Sequence, residues 1–182
     1  MVDSLCPTPS GSSAQSHADR VLLNLGRRLQ AQGYRFITPT PLTHQRVMAR
    51  WDNAPASDTR GIFGWSRPFD AEVFEAAERQ ELQQAEIIVK THGRWRSRVR
   101  WSNLGPLLLA HSAFPTEAAD AVFFGPDTYR FASVIEESLR QRFAPIRRAV
   151  DIGCGSGAGA LLVARARPDA EVLAVDINPK AL

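Results

Sequence analysis

Apolar residues recur at helical spacing along the first half of the chain, and the pattern then changes to alternation. Val21, Leu22, Leu25 and Leu29 form a stripe that predicts a helix over residues 16–32, with Ser16 as its cap and Gly33 as its stop. Thr38-Pro39-Thr40-Pro41 reads as a rigid connector, and a short helix is expected over residues 42–50. Asn53, Pro55, Gly61, Gly64 and Pro68 break any period, so residues 51–70 read as irregular. A further helix is expected over residues 70–85, with Val73, Phe74, Ala77 and Leu82 inward. Residues 86–91, 94–101 and 107–112 then alternate and predict three strands, with residues 121–124 as a short fourth. His92-Gly93 turns the first hairpin, and Asn103-Leu104-Gly105-Pro106 makes the second connection.

The period returns to helical over residues 129–143, where Phe131, Val134, Ile135 and Leu139 share a face and Pro145 forces an end. Residues 147–152 read as a short buried parallel strand, residues 156–167 as a helix with Leu161, Leu162, Val163 and Ala166 along one stripe, and residues 171–176 as a second strand. This strand–helix–strand order is one βαβ unit. The fold class is therefore α/β at the C-terminal end, behind an α+β domain. The expected domains are a disordered tail over residues 1–16, a winged-helix-like α+β domain over 17–125 that recognises substrate, and a nucleotide-binding-type domain begun over 126–182.

Hydrophobic residues make up 44% of the chain, enough for a core, and the net charge of +3 decides little by itself. Cys6 lies in a polar tail and Cys154 in a glycine-rich turn, which argues against a structural disulfide. No stretch is long and apolar enough to span a membrane, and no basic region followed by an apolar core marks a secretory signal, so the expected location is cytoplasmic. His17, His44, His92 and His111 are scattered without metal-ligand spacing, and no metal site is expected. Ser102 and Ser112 near His111 read as polar strand residues rather than a catalytic triad.

The chemistry concentrates in Asp151-Ile152-Gly153-Cys154-Gly155-Ser156-Gly157-Ala158-Gly159. An apolar strand ends in an acid, and glycine then recurs at alternate positions, which lets backbone approach a ligand and adopt positive φ. Some twenty residues on, Val172-Leu173-Ala174-Val175 ends in Asp176, a carboxylate that suits ribose hydroxyls. Gly153, Gly155 and Ala158 also satisfy the dinucleotide pattern, so a nicotinamide- or flavin-dependent oxidoreductase stays open. Asp151 two residues before the first glycine, the additional Gly157 and the late start of the unit favour S-adenosyl-L-methionine.

Together with Ala174-Val175-Asp176-Ile177-Asn178-Pro179-Lys180-Ala181-Leu182, this segment resembles the first two motifs of class I S-adenosylmethionine-dependent methyltransferases. Within them it is most similar to the branch of the release-factor glutamine and ribosomal RNA guanine N-methyltransferases. The resemblance covers roughly the last third of the chain and implies a Rossmann-like sheet. It implies that Gly153, Gly155 and Gly157 line the methionine and ribose of the cofactor, that Asp151 lies near its amino group, that Asp176 holds the ribose hydroxyls and that Ile177 packs on the adenine. It also implies methylation of a nitrogen, in RNA or in a protein of the translation apparatus. Residues 123–128 sit where the branch has a proline-containing loop near the cofactor, and Tyr129 is a candidate contact. The branch carries an Asn-Pro-Pro-Tyr-type catalytic motif; none occurs here, so the chain reads as an N-terminal fragment, inactive on its own, and no catalytic residue is assigned.

Arg94, Arg96, Arg98 and Arg100 alternate with Trp95, Ser97, Val99 and Trp101. In one strand all four guanidinium groups project from one side and both indoles from the other. Such an array is either a solvated face or a site for RNA phosphates. A noncatalytic RNA-binding or assembly module is the reading from a different class. Phe63, Trp65 and Phe69 read either as anchors of the 51–70 loop or as an aromatic substrate shelf, and Glu72, Glu75, Glu78 and Glu81 as a solvated face or a docking patch.

Overall fold

Local chemistry at the first helix shows why the chain folds where it does. The computed structural model describes residues 16–52, 54–142 and 144–181; the tail up to residue 15, Cys6 and Phe143 lie outside them. Helix α1 (His17–Ala31) opens with a capping box in which the Ser16 hydroxyl accepts from Asp19 N and the Asp19 carboxylate accepts from Ser16 N. It closes at Gly33, whose φ of +72° an L side chain resists. Val21, Leu25 and Leu29 are buried as the stripe predicts. Gly26 is buried on the same helix, where a Cβ would stand 2.5 Å from the Trp101 ring.

Helix α2 (Pro41–Met48) has Thr40 as its cap and runs into a 3-10 turn, Ala49–Trp51. The loop expected over residues 51–70 contains a short helix, α3 (Thr59–Phe63), capped by the Asp58 carboxylate on Gly61 N at 2.6 Å. Phe63 and Phe69 are fully buried, which makes them anchors rather than a shelf. The single helix expected over residues 70–85 is two pieces, the 3-10 turn Ala71–Val73 and α4 (Ala76–Gln84). Phe74 between them is extended and buried, and the Arg79 guanidinium bonds its carbonyl and that of Ala71; Ala77 faces solvent. Tertiary burial of Phe74 overrode helical continuity.

Strands β1 (Ile88–Thr91) and β2 (Arg94–Ser97) form one antiparallel hairpin, and β3 (Val99–Leu104) and β4 (Leu107–Ser112) form another. His92 and Gly93, at φ +51° and +80°, supply the two left-handed residues of a tight turn. The strand expected over residues 94–101 is thus broken at Arg98. The Ser97 hydroxyl bonds both Val99 N and Val99 O, which competes with the ladder, while Arg98 N donates to Ile87 O and Arg98 O accepts from Ala113 N. Residues 121–124 form no strand, although Val122 exchanges backbone bonds with Ser112 and its hydroxyl.

Helix α5 (Pro126–Gln141) starts three residues earlier than its apolar period, with proline at its first turn. Its inward face is Ala132, Ile135 and Leu139; Phe131 and Val134 are exposed, against the expected stripe. Strands β5 (Arg148–Ile152) and β6 (Glu171–Val175) are parallel and flank α6 (Ala158–Ala166), completing the βαβ unit. On α6 it is Ala158, Gly159 and Leu162 that are buried, whereas Leu161 is exposed. The burial expected of the strands is corrected too: Val150, Ile152, Leu173 and Val175 are exposed, Ile152 at 83%, because the adjoining helix covers one face of a two-stranded sheet and leaves the other open.

The fold is mixed α/β with small sheets, each of two strands. One core joins α1, α3 and α4 to the hairpins. A second joins Leu104 and Leu109 of the β3–β4 hairpin and Phe124 to Ala132, Ala158 and Leu162. The segments on either side of residue 125 therefore share a core.

Candidate cofactor site

Three alternate glycines build the turn between β5 and α6. Gly153, Gly155 and Gly157 stand at φ +71°, +50° and +74°, all in the left-handed region that side chains resist. A Cβ on Gly153 would meet no atom within 4 Å, so there the backbone itself fronts open space. Gly159 has a different reason to be glycine: a Cβ would stand 2.8 Å from an Asp151 carboxylate oxygen. Gly153 N and Cys154 N both donate to Val175 O, which ties the turn to the end of β6.

Two carboxylates frame the turn. Asp151 Oδ2 accepts from Ala160 N at 2.8 Å and so caps the first turn of α6. Asp176 accepts from Asn178 N through Oδ1 at 2.9 Å and from Gly155 N through Oδ2 at 2.8 Å. These two amides, Asn178 first, hold the Asp176 carboxyl below its ordinary range, so it stays ionised. Each carboxylate oxygen keeps a second lone-pair direction for a ligand donor. Cys154 is buried; desolvation first, then the Asp176 and Asp151 charges, push its thiol up.

A cleft of about 520 Å³ opens over the turn and is lined by Asp151, Gly153, Gly155, Asp176 and Ile177. Gly157 lines instead a neighbouring cavity of about 380 Å³. Ile177 is fully exposed. Phe123, Asp127, Thr128 and Phe131 line the same cleft. Phe131 was legible only as part of a helical stripe; its exposure on α5 is what turns it to the cleft. Tyr129 does not line this cleft: its hydroxyl accepts from Thr38 N at 3.0 Å, and its ring meets Phe124 edge-on.

The four-arginine face needs correction. Arg94, Arg96 and Arg98 are exposed, but Arg100 is buried at 3% because both faces of β3 are covered: Val99 and Trp101 pack on the same core as Trp95, and the opposite face is covered as well. Its Nη2 meets His44 Nδ1 at 3.1 Å, and its guanidinium lies near the Phe36 and Phe114 rings. Burial lowers its pKa to about 10.

The serine–histidine pair is a structural element. Ser102 Oγ meets His111 Nε2 at 2.8 Å and Thr38 Oγ1 at 2.5 Å, His111 Nδ1 faces Ser112 O at 3.1 Å, and Ser102 has no exposed surface for a substrate. Burial, then the Arg100 charge, lowers His111 to about 3 and His44 to about 4. Both histidines are therefore neutral in the fold but take a proton in the unfolded chain below its ordinary value of 6.5. Their stabilising contribution is complete above that value and is lost as pH falls toward 4 and 3. Urea unfolding at pH 7 and pH 5 is expected to differ by about 2 kcal/mol per histidine, and His111→Gln is expected to remove its share; an unaltered pH slope in that variant contradicts the assignment.

Comparison with known proteins adds no relative: no protein-family model matches the chain, and no curated protein matches it. Among the described residues no group of three or more His, Cys, Asp or Glu side chains is placed to hold a metal ion, and no helix is long and apolar enough to cross a membrane.

Proposed function

We propose that this chain binds S-adenosyl-L-methionine at the β5–α6 turn and serves methyl transfer to a nitrogen, as the resemblance to class I methyltransferases implies. In this reading β5–α6–β6 is the first βαβ unit of a Rossmann-like sheet. The observation that carries it is the Gly155 N–Asp176 bond: it locks a side-chain-poor turn to an ionised strand-end carboxylate, side by side in one cleft.

The residues present fit the cofactor. The cleft volume lies within the range of small-molecule sites. Gly153 leaves space where a side chain would stand. Asp176 accepts the ribose hydroxyls with its remaining lone pairs, Ile177 offers an apolar face to the adenine, and Asp151 attracts the ammonium group of the amino acid moiety. When bound, the cofactor supplies an electrophilic methyl group: the carbon–sulfur bond breaks to a neutral thioether, a nitrogen–carbon bond forms, and the nitrogen gives up a proton. The role of this chain is to hold the donor in line with its acceptor.

Calorimetric titration with S-adenosylmethionine, S-adenosylhomocysteine and NAD is the test. Saturable binding of the first two without NAD is expected; NAD binding without the other two makes the chain a nicotinamide-binding protein instead.

A further inference from the structure

The outward side of the β1–β2 hairpin carries a row of exposed arginines. The register pairs Thr91 with Arg94 and Val89 with Arg96, so these four side chains share one face of the hairpin, and Arg98 is exposed just beyond the end of β2. Two residues of strand advance about 6.6 Å, which sets the spacing along the row. Among the described residues Arg96 makes no ion pair; Arg94 stands 3.8 Å from Asp70, and Arg98 stands 2.9 Å from Glu86. The latter pairs are solvent-exposed, and exposed pairs exchange readily for a better anion. The indoles are turned away: Trp95 and Trp101 are both buried, so the surface offers guanidinium groups and the Thr91 hydroxyl rather than indole rings.

The row also has a direction. Its Arg98 end lines the 380 Å³ cavity, whose walls include Leu22, Val99 and Val122. Val122, Cys154, Gly155 and Ser156 belong both to this cavity and to the cofactor cleft. An elongated polyanion lying on the arginines therefore ends beside the glycine turn.

We infer that the acceptor is single-stranded RNA, whose sugar-phosphate backbone lies along Arg94, Arg96 and Arg98 and leads a base into the cavity beside the cofactor. The inference rests on the proposed methyl transfer for its acceptor role, but the RNA contact stands on the hairpin alone. Arginine forks phosphate oxygens, and the Thr91 hydroxyl can meet a ribose hydroxyl. With the indoles buried, phosphate contacts from the arginines dominate, so binding is largely independent of sequence and strongly salt-dependent.

The test is fluorescence anisotropy with a short labelled single-stranded RNA, a DNA of the same sequence and polyglutamate. Arg96→Glu/Arg98→Glu is compared with Arg142→Glu/Arg165→Glu, the same charge change on the groove between α5 and α6. The hairpin variant is expected to lose RNA affinity at least about tenfold and to flatten the slope of log affinity against log salt by about 1.4, the loss of two phosphate contacts. The groove variant is expected to change much less. Arg96→Ser/Arg98→Ser reports the same loss if the glutamates unfold the hairpin. Equal losses in the hairpin and groove variants, unchanged RNA affinity in the hairpin variants, equal affinity for DNA, or polyglutamate competing as well as RNA would each overturn the inference. S-adenosylmethionine titration of the hairpin variants is expected to match the parent chain, so a failed RNA site and a failed cofactor site give different results.

Discussion

Asp176→Ala is expected to lower the affinity for S-adenosylmethionine by about a hundredfold or more, since each hydrogen bond to a charged acceptor carries roughly one to two decades of affinity. The carboxylate accepts from Gly155 N and Asn178 N, and in the proposed complex from the ribose hydroxyls as well. Its loss removes the ligand contacts and also frees the turn that Gly155 occupies. Asp176→Asn separates these effects. It keeps one carbonyl oxygen and the side-chain shape, so it is expected to hold the turn better than alanine while still losing much of the ribose interaction. Titration calorimetry gives the affinities, and thermal melting of the unliganded variants gives the cost to the turn. Wild-type affinity in Asp176→Ala would remove the proposed cofactor site.

Phe69→Ala is expected to destabilise the protein by about 3–5 kcal/mol, the range for a buried phenylalanine that leaves a cavity. Phe69 has no exposed surface and meets the Phe74 ring edge-on at 5.4 Å. Its backbone exchanges two hydrogen bonds with Trp95, and the neighbouring Pro68 carbonyl accepts from Ala56 N, so the residue pins the 51–70 segment to the hairpin. Phe69→Leu fills most of the space and is expected to cost less. Urea denaturation distinguishes the two, and a change under about 1 kcal/mol for alanine would place Phe69 outside the cooperative core.

Both residues show what could be read before any tertiary contact was known. Asp176 was legible because a strand end followed by an acid, a fixed distance after a glycine turn, is a local pattern. Phe69 was legible as an aromatic among loop breakers, either an anchor or a shelf; its burial, its edge-on contact with Phe74 and its backbone bonds to Trp95, a residue distant along the chain, decided for the anchor. Phe131 was misread because its helical period matches the inward stripe, yet the α5–α6 contact that orients the helix places Ala132, Ile135 and Leu139 inward instead.

The arginine row divides the same way. Alternation correctly put Arg94 and Arg96 outward, because side-chain direction within one strand is a local property. It failed at Arg100, since β3 is covered on both faces and the second face packs Arg100 into the aromatic cluster around His44. The buried Thr38–Ser102–His111 chain was legible only in part: Ser102 and His111 read as neighbouring polar strand residues, but Thr38 comes from a separate segment and nothing local records that it meets them.

By itself the amino-acid sequence determined the helical and alternating stretches, the βαβ unit and the glycine turn with its two acids, because each depends on periods, caps and backbone freedom within a few residues. Tertiary structure alone decided which arginine is buried, which side of α5 faces the cleft, how the two hairpins separate and how Asp176 closes on Gly155. Those outcomes depend on which distant surfaces exclude water from one another, and no short window of sequence contains both partners.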